Sequence, residues 1–182
     1  ESNYFSPENQ LKYMGSTQFK RFMACEAAAM AEINGAWHTG QSTAMLVGSY
    51  VDAHFSGTMD LFRAQHPELL KRDGSLKSEY EQANNIIQRI EADPLMMKYL
   101  SGDHQVILTG SIAEVPFKIK IDSYAPGLWI VDQKIMRDMD DVWKDGAYRP
   151  FVDAWGYDYQ AAIYQAVEGN RLPVILAVAT KD

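Results

Sequence analysis

The sequence has little cysteine, no long apolar run and few basic residues. Its one cysteine, Cys25, has no partner for an internal disulfide, which is typical of a reducing compartment and predicts a cytoplasmic protein. We expect Cys25 to be a small buried apolar residue. No run approaches the roughly 18 apolar residues of a membrane span, and no signal peptide is visible. We therefore expect no membrane among the partners of this protein.

Basic residues are outnumbered by acidic ones. The chain has 17 Lys and Arg against 24 Asp and Glu, a net charge of −7 and a pI near 5.1. This balance argues against a general nucleic-acid binder, whose surface is usually basic. It leaves open an enzyme that uses bound cations or a local basic groove.

The apolar content is high enough for a sizeable core. Hydrophobic residues make up 47% and aromatic residues 12% of the 182 positions, so disorder is not expected. We predict one domain over 1–182, with a helical N-terminal part over 1–66 and a core over 77–182. The chain begins with Glu1 rather than Met, which leaves open whether the natural chain extends beyond either end.

Helical patterns dominate the first half. The segment STQFKRFMACEAAAMAEI predicts one helix capped by Ser16, and STAMLVGSYVDAHFSGTMDLFRAQHP predicts a second that ends before Pro67. SEYEQANNIIQRIEADPLMMKYL is strongly amphipathic, with a kink or a new turn at Pro94. The first half is therefore expected to be all helical.

The period then changes to that of strands. HQVILTG, VPFKIKID and LWIVDQK predict three strands, RPFVDAWGYDYQAAIYQAVEGNR predicts a helix, and LPVILAVAT predicts a last strand in the middle of a covered sheet. The order is helices followed by α-β-β-β-α-β, which predicts a mixed α/β fold.

The hairpin IKIDSYAPGLWIVDQK concentrates charge. If Gly127 is the centre of its turn, Asp122 faces Asp132 and Lys120 faces Lys134. Two opposed carboxylates repel unless one is protonated or a cation lies between them, and Mg²⁺ suits two carboxylates plus waters. Lys134, on the same strand face as Asp132, could position a water or stabilise charge on a phosphate. The alternative is a solvent-facing cluster in which Lys134 merely neutralises the acids.

The order of these features resembles the PD-(D/E)xK nuclease superfamily. Asp122 ends the second strand, VDQK lies on the third, and QAAIY on the next helix matches the Q-x-x-x-Y motif of the RecB-like branch. STQFKRFMACEAA, GSYVDAHFSG and LPVILAVATK are similar to phage exonucleases of the exonuclease VIII type. The resemblance implies a restriction-endonuclease-like core, with a mixed central sheet flanked by helices and an N-terminal helical extension.

The resemblance also implies a set of site residues. Asp122 and Asp132 would bind Mg²⁺, for which Mn²⁺ substitutes, together with the backbone carbonyl of Gln133. Lys134 would orient the attacking water. Gln160 and Tyr164 would lie along the DNA.

For Gln160 and Tyr164, ordinary helix packing with a paired tyrosine hydroxyl remains the alternative.

One position departs from the family pattern. Many relatives have a metal-binding histidine four residues after a helix glycine, whereas Gly48 is followed at that spacing by Asp52, with His54 two residues further on. Two residues turn a helix by about 200°, so only one of the two side chains can face the site. We prefer Asp52 as the third metal ligand, because it fits the spacing and is a hard oxygen donor. We expect surface positions for three histidines: His38, His66 and His104.

The resemblance favours a Mg²⁺-dependent exonuclease that degrades linear duplex DNA from the 5′ end in phage-type recombination. It implies a single-strand annealing protein as partner and a homo-oligomeric ring that encircles DNA. Two alternatives stay open. The first is a non-catalytic DNA-binding or assembly module of the same fold, and the second is an unrelated hydrolase of small phosphoesters with a closed pocket.

Overall fold

The fold was obtained as a computed structural model that describes residues 4–37 and 40–181. Helices occupy most of the first half, and two more follow the central strands. A 3₁₀ turn spans Pro67–Leu69. The α-helices of the described part are α1 Pro7–Lys12, α2 Ser16–Ala24, α3 Glu26–Ile33, α4 Thr43–Phe55, α5 Met59–Gln65, α6 Ser78–Ala92, α7 Pro94–Tyr99, α8 Phe151–Ala154 and α9 Tyr157–Glu168.

The strands form one mixed sheet and a separate hairpin. In the main sheet the order is β1-β2-β3-β6, with β1, β2 and β3 antiparallel and β6 parallel to β3. The hairpin pairs β4 with β5. The strands are β1 Asp103–Ile112, β2 Val115–Ala125, β3 Trp129–Met136, β4 Val142–Lys144, β5 Ala147–Arg149 and β6 Val174–Thr180. The predicted α-β-β-β-α-β order and mixed sheet are confirmed.

The predicted helices are more fragmented than their periodicity suggests. The first breaks at Cys25, whose backbone is extended (φ −164°, ψ 106°), and Cys25 is exposed rather than buried. Ser16 is the first helical residue, and Gly15 occupies the N-cap position. The second predicted helix breaks around Gly57, which has a φ of +70°. A kink or a new turn is predicted at Pro94, and a new helix begins there, capped by the side chain of Asp93.

The last third differs from its prediction at two places. The segment after β3 contains the β4–β5 hairpin, and the helix predicted from Arg149 onward is divided into α8 and α9 at Gly156, whose φ is +62°. β6 lies at the edge of the described sheet rather than in its middle, and its residues are mostly half-buried.

The β2–β3 hairpin has the predicted register over a short distance. Its pairs are Ala125 with Trp129, Tyr124 with Ile130 and Ser123 with Val131, which centres the turn on Gly127. The ladder stops there, one pair before the two aspartates. Lys120 and Lys134 are consequently not partners, and β2 and β3 separate towards this end of the sheet.

Two apolar clusters cover the two faces of the sheet. One joins α4 and α6 to the sheet through Tyr50, Ile86 and Val131, and the other packs Ile121 of β2 against Ile163 of α9. Because both faces are covered, polar residues of β2 are also drawn inside. In the described part of the chain, no helix is long and apolar enough to cross a membrane.

Candidate functional site

A cavity of about 1420 Å³ lies where the β2–β3 ladder ends. Acids from three elements line it: Asp52 from α4, Asp122 from β2 and Asp132 from β3. Lys134 of β3 and Gln160 of α9 also line it. The structure thus brings the sequence-predicted acids and lysine into one site, between the sheet and the helices on either side.

The side chain of Asp122, and not the backbone of β2, accepts the hydrogen bond from the backbone N–H of Gln133. Its Oδ2 accepts a hydrogen bond of 2.8 Å from the backbone N–H of Gln133. The backbone carbonyl of Asp122 lies 3.1 Å from Nδ1 of His104. The carboxylate therefore stands where a backbone acceptor of β2 would continue the ladder, and this marks the point at which β2 and β3 part.

Asp132 is held on both of its oxygens. The Lys134 ammonium lies 2.5 Å from Oδ2, as expected for residues two apart on one strand face. Gln160 donates a hydrogen bond of 2.7 Å from Nε2 to Oδ1. With only 4% of Asp132 exposed, these two partners compensate for the loss of water around its charge. Its orientation in the cavity is thereby fixed.

Burial and like charge shift the acid–base properties of the site. Burial, then the nearby carboxylates of Asp132 and Asp52, raise the pKa of Asp122 to about 7. Burial opposes the charge of Lys134, but Asp132 and Asp122 outweigh it and raise the pKa of that ammonium. Lys134 therefore does not offset the burial and carboxylate repulsion at Asp122, and a bound cation would relieve that repulsion.

Gln160 and Tyr164 contact protein groups in this structure. Both are buried, with 9% and 5% exposed. The Tyr164 hydroxyl donates a hydrogen bond of 2.8 Å to the carbonyl of Lys120 and accepts one of 3.2 Å from Gln160. These contacts match the alternative in which the two residues pack the helix: they connect α9 to β2 and to Asp132. A contact with DNA stays a prediction.

Asp52, four residues after Gly48, faces the site as its spacing predicts. Asp52 lines the cavity, and its Oδ1 accepts a hydrogen bond of 2.7 Å from Nε2 of Gln105. His54 instead lies 2.8 Å from Glu91 through its Nε2 and does not line the cavity. Asp52 is thus placed to act with the other acids, while its metal role stays a prediction.

The remaining histidines are only in part surface residues. His66 is half-buried beside Glu68 at 2.8 Å and lines the cavity, and His104 lies half-buried in β1 rather than in a turn. His38 lies outside the described residues.

Two residues beside the site were not anticipated from the sequence. The ring of Tyr157 lies 5.5 Å from the ammonium groups of both Lys134 and Lys20. Lys20 also donates a hydrogen bond of 3.2 Å to the carbonyl of Trp155, and burial, then Lys134, lower its pKa. Tyr157 precedes Gln160 by three residues, so helical spacing would have indicated it. Lys20 has no comparable signal.

The donor set suits a hard divalent cation. Three carboxylates and the Gln133 carbonyl are oxygen donors of the kind that Mg²⁺ prefers. The repulsion between carboxylates, which after burial raises the pKa of Asp122, would fall on binding. Within 4–37 and 40–181, however, no three His, Cys, Asp or Glu side chains form a ready cluster for a metal. Lys134 and Gln160 hold both Asp132 oxygens instead.

Comparison with known proteins gives two matches. Residues 15–182 match a family described as "PDDEXK-like domain of unknown function". The chain is also similar to a crystal structure from Eubacterium rectale described as "Putative exonuclease", with a TM-score of 0.95 and 44% identity over 100% of this chain and 73% of that one. No functionally curated protein matches. Both matches include the residues that line the cavity from α4, β2, β3 and α9.

Proposed function

The chain belongs to the PDDEXK-like family within the PD-(D/E)xK nuclease superfamily, and on that premise we propose that it is a metal-dependent exonuclease acting on linear duplex DNA. The observation that carries the proposal is the pairing of Asp132 with Lys134 at 2.5 Å in a cavity that also contains Asp122. The description "Putative exonuclease" of the similar protein from E. rectale supports the same activity.

Four residues would hold Mg²⁺ or Mn²⁺. These are Asp122, Asp132, Asp52 and, through its backbone carbonyl, Gln133. When bound, the cation would supply Lewis-acid stabilisation of negative charge on the phosphate. Its binding would also offset the carboxylate repulsion that, after burial, raises the pKa of Asp122.

Lys134 is the residue best placed to act on the reacting water. Its ammonium has three N–H donors, and Asp132 Oδ2 at 2.5 Å and the Gln133 carbonyl at 3.4 Å account for two of them. Within the described part of the chain no hydrogen-bond acceptor takes the third N–H, which lies near the Tyr157 ring and would be available to the attacking water or a phosphate oxygen. Gln160 keeps Asp132 in place from the opposite side, so the ammonium is oriented before the substrate arrives.

Phage-type recombination, with an annealing protein as partner, is the setting that we propose for this activity. A homo-oligomeric ring around DNA would let topology and cations substitute for a basic surface in a chain of net charge −7. Size-exclusion chromatography with light scattering tests the ring. A monomer at every concentration would contradict it.

One observation favours the alternative of a non-catalytic module. The described acids do not form a ready three-ligand cluster. Such a module would keep the fold and bind DNA or partners without binding Mg²⁺ or Mn²⁺. The open cavity, by contrast, gives no support to a hydrolase with a closed pocket for small phosphoesters.

Digestion of end-labelled linear duplex with Mg²⁺ tests the activity. The wild type should degrade the duplex, whereas Asp132→Ala and Lys134→Met should be slower by about 100-fold or more. Lys98→Met is the matched control, because Lys98 also lies over aromatic rings, 5.6 Å from that of Trp129, but does not line the cavity. An inactive wild type, or equal rates for all four proteins, would refute the proposal. Labelling the 5′ or the 3′ end gives the polarity.

A further inference from the structure

Gln105 has an unusual backbone conformation directly across from Asp122. In the β1–β2 ladder His104 pairs with Ser123 and Val106 with Ile121, which leaves Gln105 and Asp122 opposite each other without a ladder pair. The φ of Gln105 is +56°. Residues other than glycine seldom adopt this region, and such conformations concentrate at functional sites.

The side chain of Gln105 is also unusual. Its Nε2 donates a hydrogen bond of 2.7 Å to Asp52 Oδ1. Its Oε1 is buried and has no hydrogen-bond partner among the described residues. Buried polar atoms are nearly always paired, so an unpaired one needs an explanation. The hydrogen bond to Asp52 is the stabilising interaction that offsets the cost of the strained backbone and of the unpaired Oε1.

We infer that Gln105 is a positioning residue for the cation site, and that it acts through Asp52; the inference rests on the proposed function. Its backbone lies against Asp122 on β2, and its amide holds Asp52 on α4. Gln105 therefore links two acids that come from different elements. Ligand-orienting residues of this kind typically change metal affinity by about 10–100-fold when they are removed.

Substitution by glycine separates the side chain from the backbone. Glycine adopts a positive φ without strain, so Gln105→Gly removes the amide and relieves the backbone conformation. Thermal unfolding of the full chain in EDTA should therefore show no loss of stability. Titration with Mn²⁺, followed by calorimetry, should show a dissociation constant raised by about tenfold. If the glycine variant does not fold, Gln105→Met removes the amide while keeping the side-chain size and the backbone strain, and its dissociation constant for Mn²⁺ should rise by a similar factor.

Gln165→Ala is the matched control. Gln165 is half-buried, donates a hydrogen bond of 2.8 Å to the carbonyl of Leu172, and does not line the cavity. Its Mn²⁺ affinity should equal that of the wild type. An equal weakening in Gln165→Ala and Gln105→Gly would mean general destabilisation and would overturn the inference.

A double mutant tests the route through Asp52. If Gln105 acts by holding Asp52, Gln105→Gly should weaken Mn²⁺ binding no further once Asp52→Ala is present. Full multiplication of the two effects, or wild-type affinity in Gln105→Gly, would overturn this inference alone. A wild type that binds no Mn²⁺ would overturn it together with the proposed function.

Discussion

Two of the acids in the cavity differ in how their charge is compensated. Asp132 contacts an ammonium at 2.5 Å and an amide at 2.7 Å, whereas among the described residues the carboxylate of Asp122 accepts from a single N–H donor at 2.8 Å. Burial, and then the nearby charges of Asp132 and Asp52, raise the pKa of Asp122 to about 7. Acids whose environments differ in this way usually have different roles in a site. Asp122 is the acid whose charge depends on what the cavity binds.

Without divalent cations, the contribution of Asp122 to stability should fall as the pH rises from about 4 to about 7. The folded-state pKa of Asp122, about 7, lies above its ordinary value of 3.8, so the folded protein retains a proton that the unfolded chain releases in this window. The charged carboxylate therefore costs stability above pH 7, by at most a few kcal/mol, since one pKa unit is about 1.4 kcal/mol. Asp122→Asn keeps an oxygen acceptor for Gln133 and should remove this dependence.

Thermal unfolding in EDTA between pH 4.5 and 8 measures this dependence. The difference in unfolding temperature between Asp122→Asn and the wild type should grow with pH. Added Mg²⁺ at pH 8 should raise the unfolding temperature of the wild type more than that of the variant. Parallel pH curves for the two proteins would contradict the assigned pKa.

At the level of elements, the site depends on where the β2–β3 ladder stops. The short loop around Gly127 allowed the register to be predicted from the sequence, and the three observed pairs confirm it. Alternation along β3 likewise placed Asp132 beside Lys134. The separation of the strands was not predictable, because it involves the Asp122 carboxylate in place of a backbone acceptor. The alternation of residues along a strand predicts which face each side chain occupies, but not that a side chain will replace a backbone acceptor.

The helix breaks show a second limit of the sequence. Apolar spacing continues across Cys25, so periodicity predicts one helix where the chain forms two. Cys25 is not a helix breaker by type, and its extended backbone separates α2 from α3, which pack against each other. Gln105 was missed for the same reason: its importance comes from a backbone conformation and a contact with Asp52, 53 positions away in sequence.

The break between α8 and α9 allows a comparison of two glycines. Gly156 and Gly169, at the two ends of α9, both have a positive φ (+62° and +88°). An added Cβ would lie 2.9 Å from Cδ of Lys20 at position 156, but would have no heavy atom within 4 Å at position 169. Gly169→Ala should therefore cost about 1–2 kcal/mol from backbone strain alone. Gly156→Ala should cost more and should also move Lys20.

Urea unfolding and nuclease rates separate the two effects. Gly169→Ala should retain the wild-type rate below its unfolding transition. Gly156→Ala should be slower, because Lys20 contacts the ring of Tyr157, which in turn lies 5.5 Å from the Lys134 ammonium. Equal stability losses and equal rates in the two variants would show that the Lys20 contact has no bearing on the site.

At the scale of the whole molecule, charge is the main obstacle to DNA binding. The net charge is −7, and the cavity is lined by further acids, Asp138, Asp140 and Asp141, besides those of the site. A phosphate backbone would be repelled by such a surface at low ionic strength. We therefore expect the protein to bind DNA through cations held at the cavity, and not through a basic face.

Binding of 5′-labelled duplex should consequently require a divalent cation. In Ca²⁺, which takes the same oxygen ligands as Mg²⁺, fluorescence anisotropy should give a dissociation constant lower by about tenfold or more than in EDTA. Asp132→Ala should lose most of this difference. Asp60→Ala is the charge-matched control, because Asp60 is exposed on α5, does not line the cavity, and its loss changes the net charge equally. Equal affinity in Ca²⁺ and EDTA would contradict cation-mediated binding, and an equal effect of both variants would attribute it to net charge instead of the site.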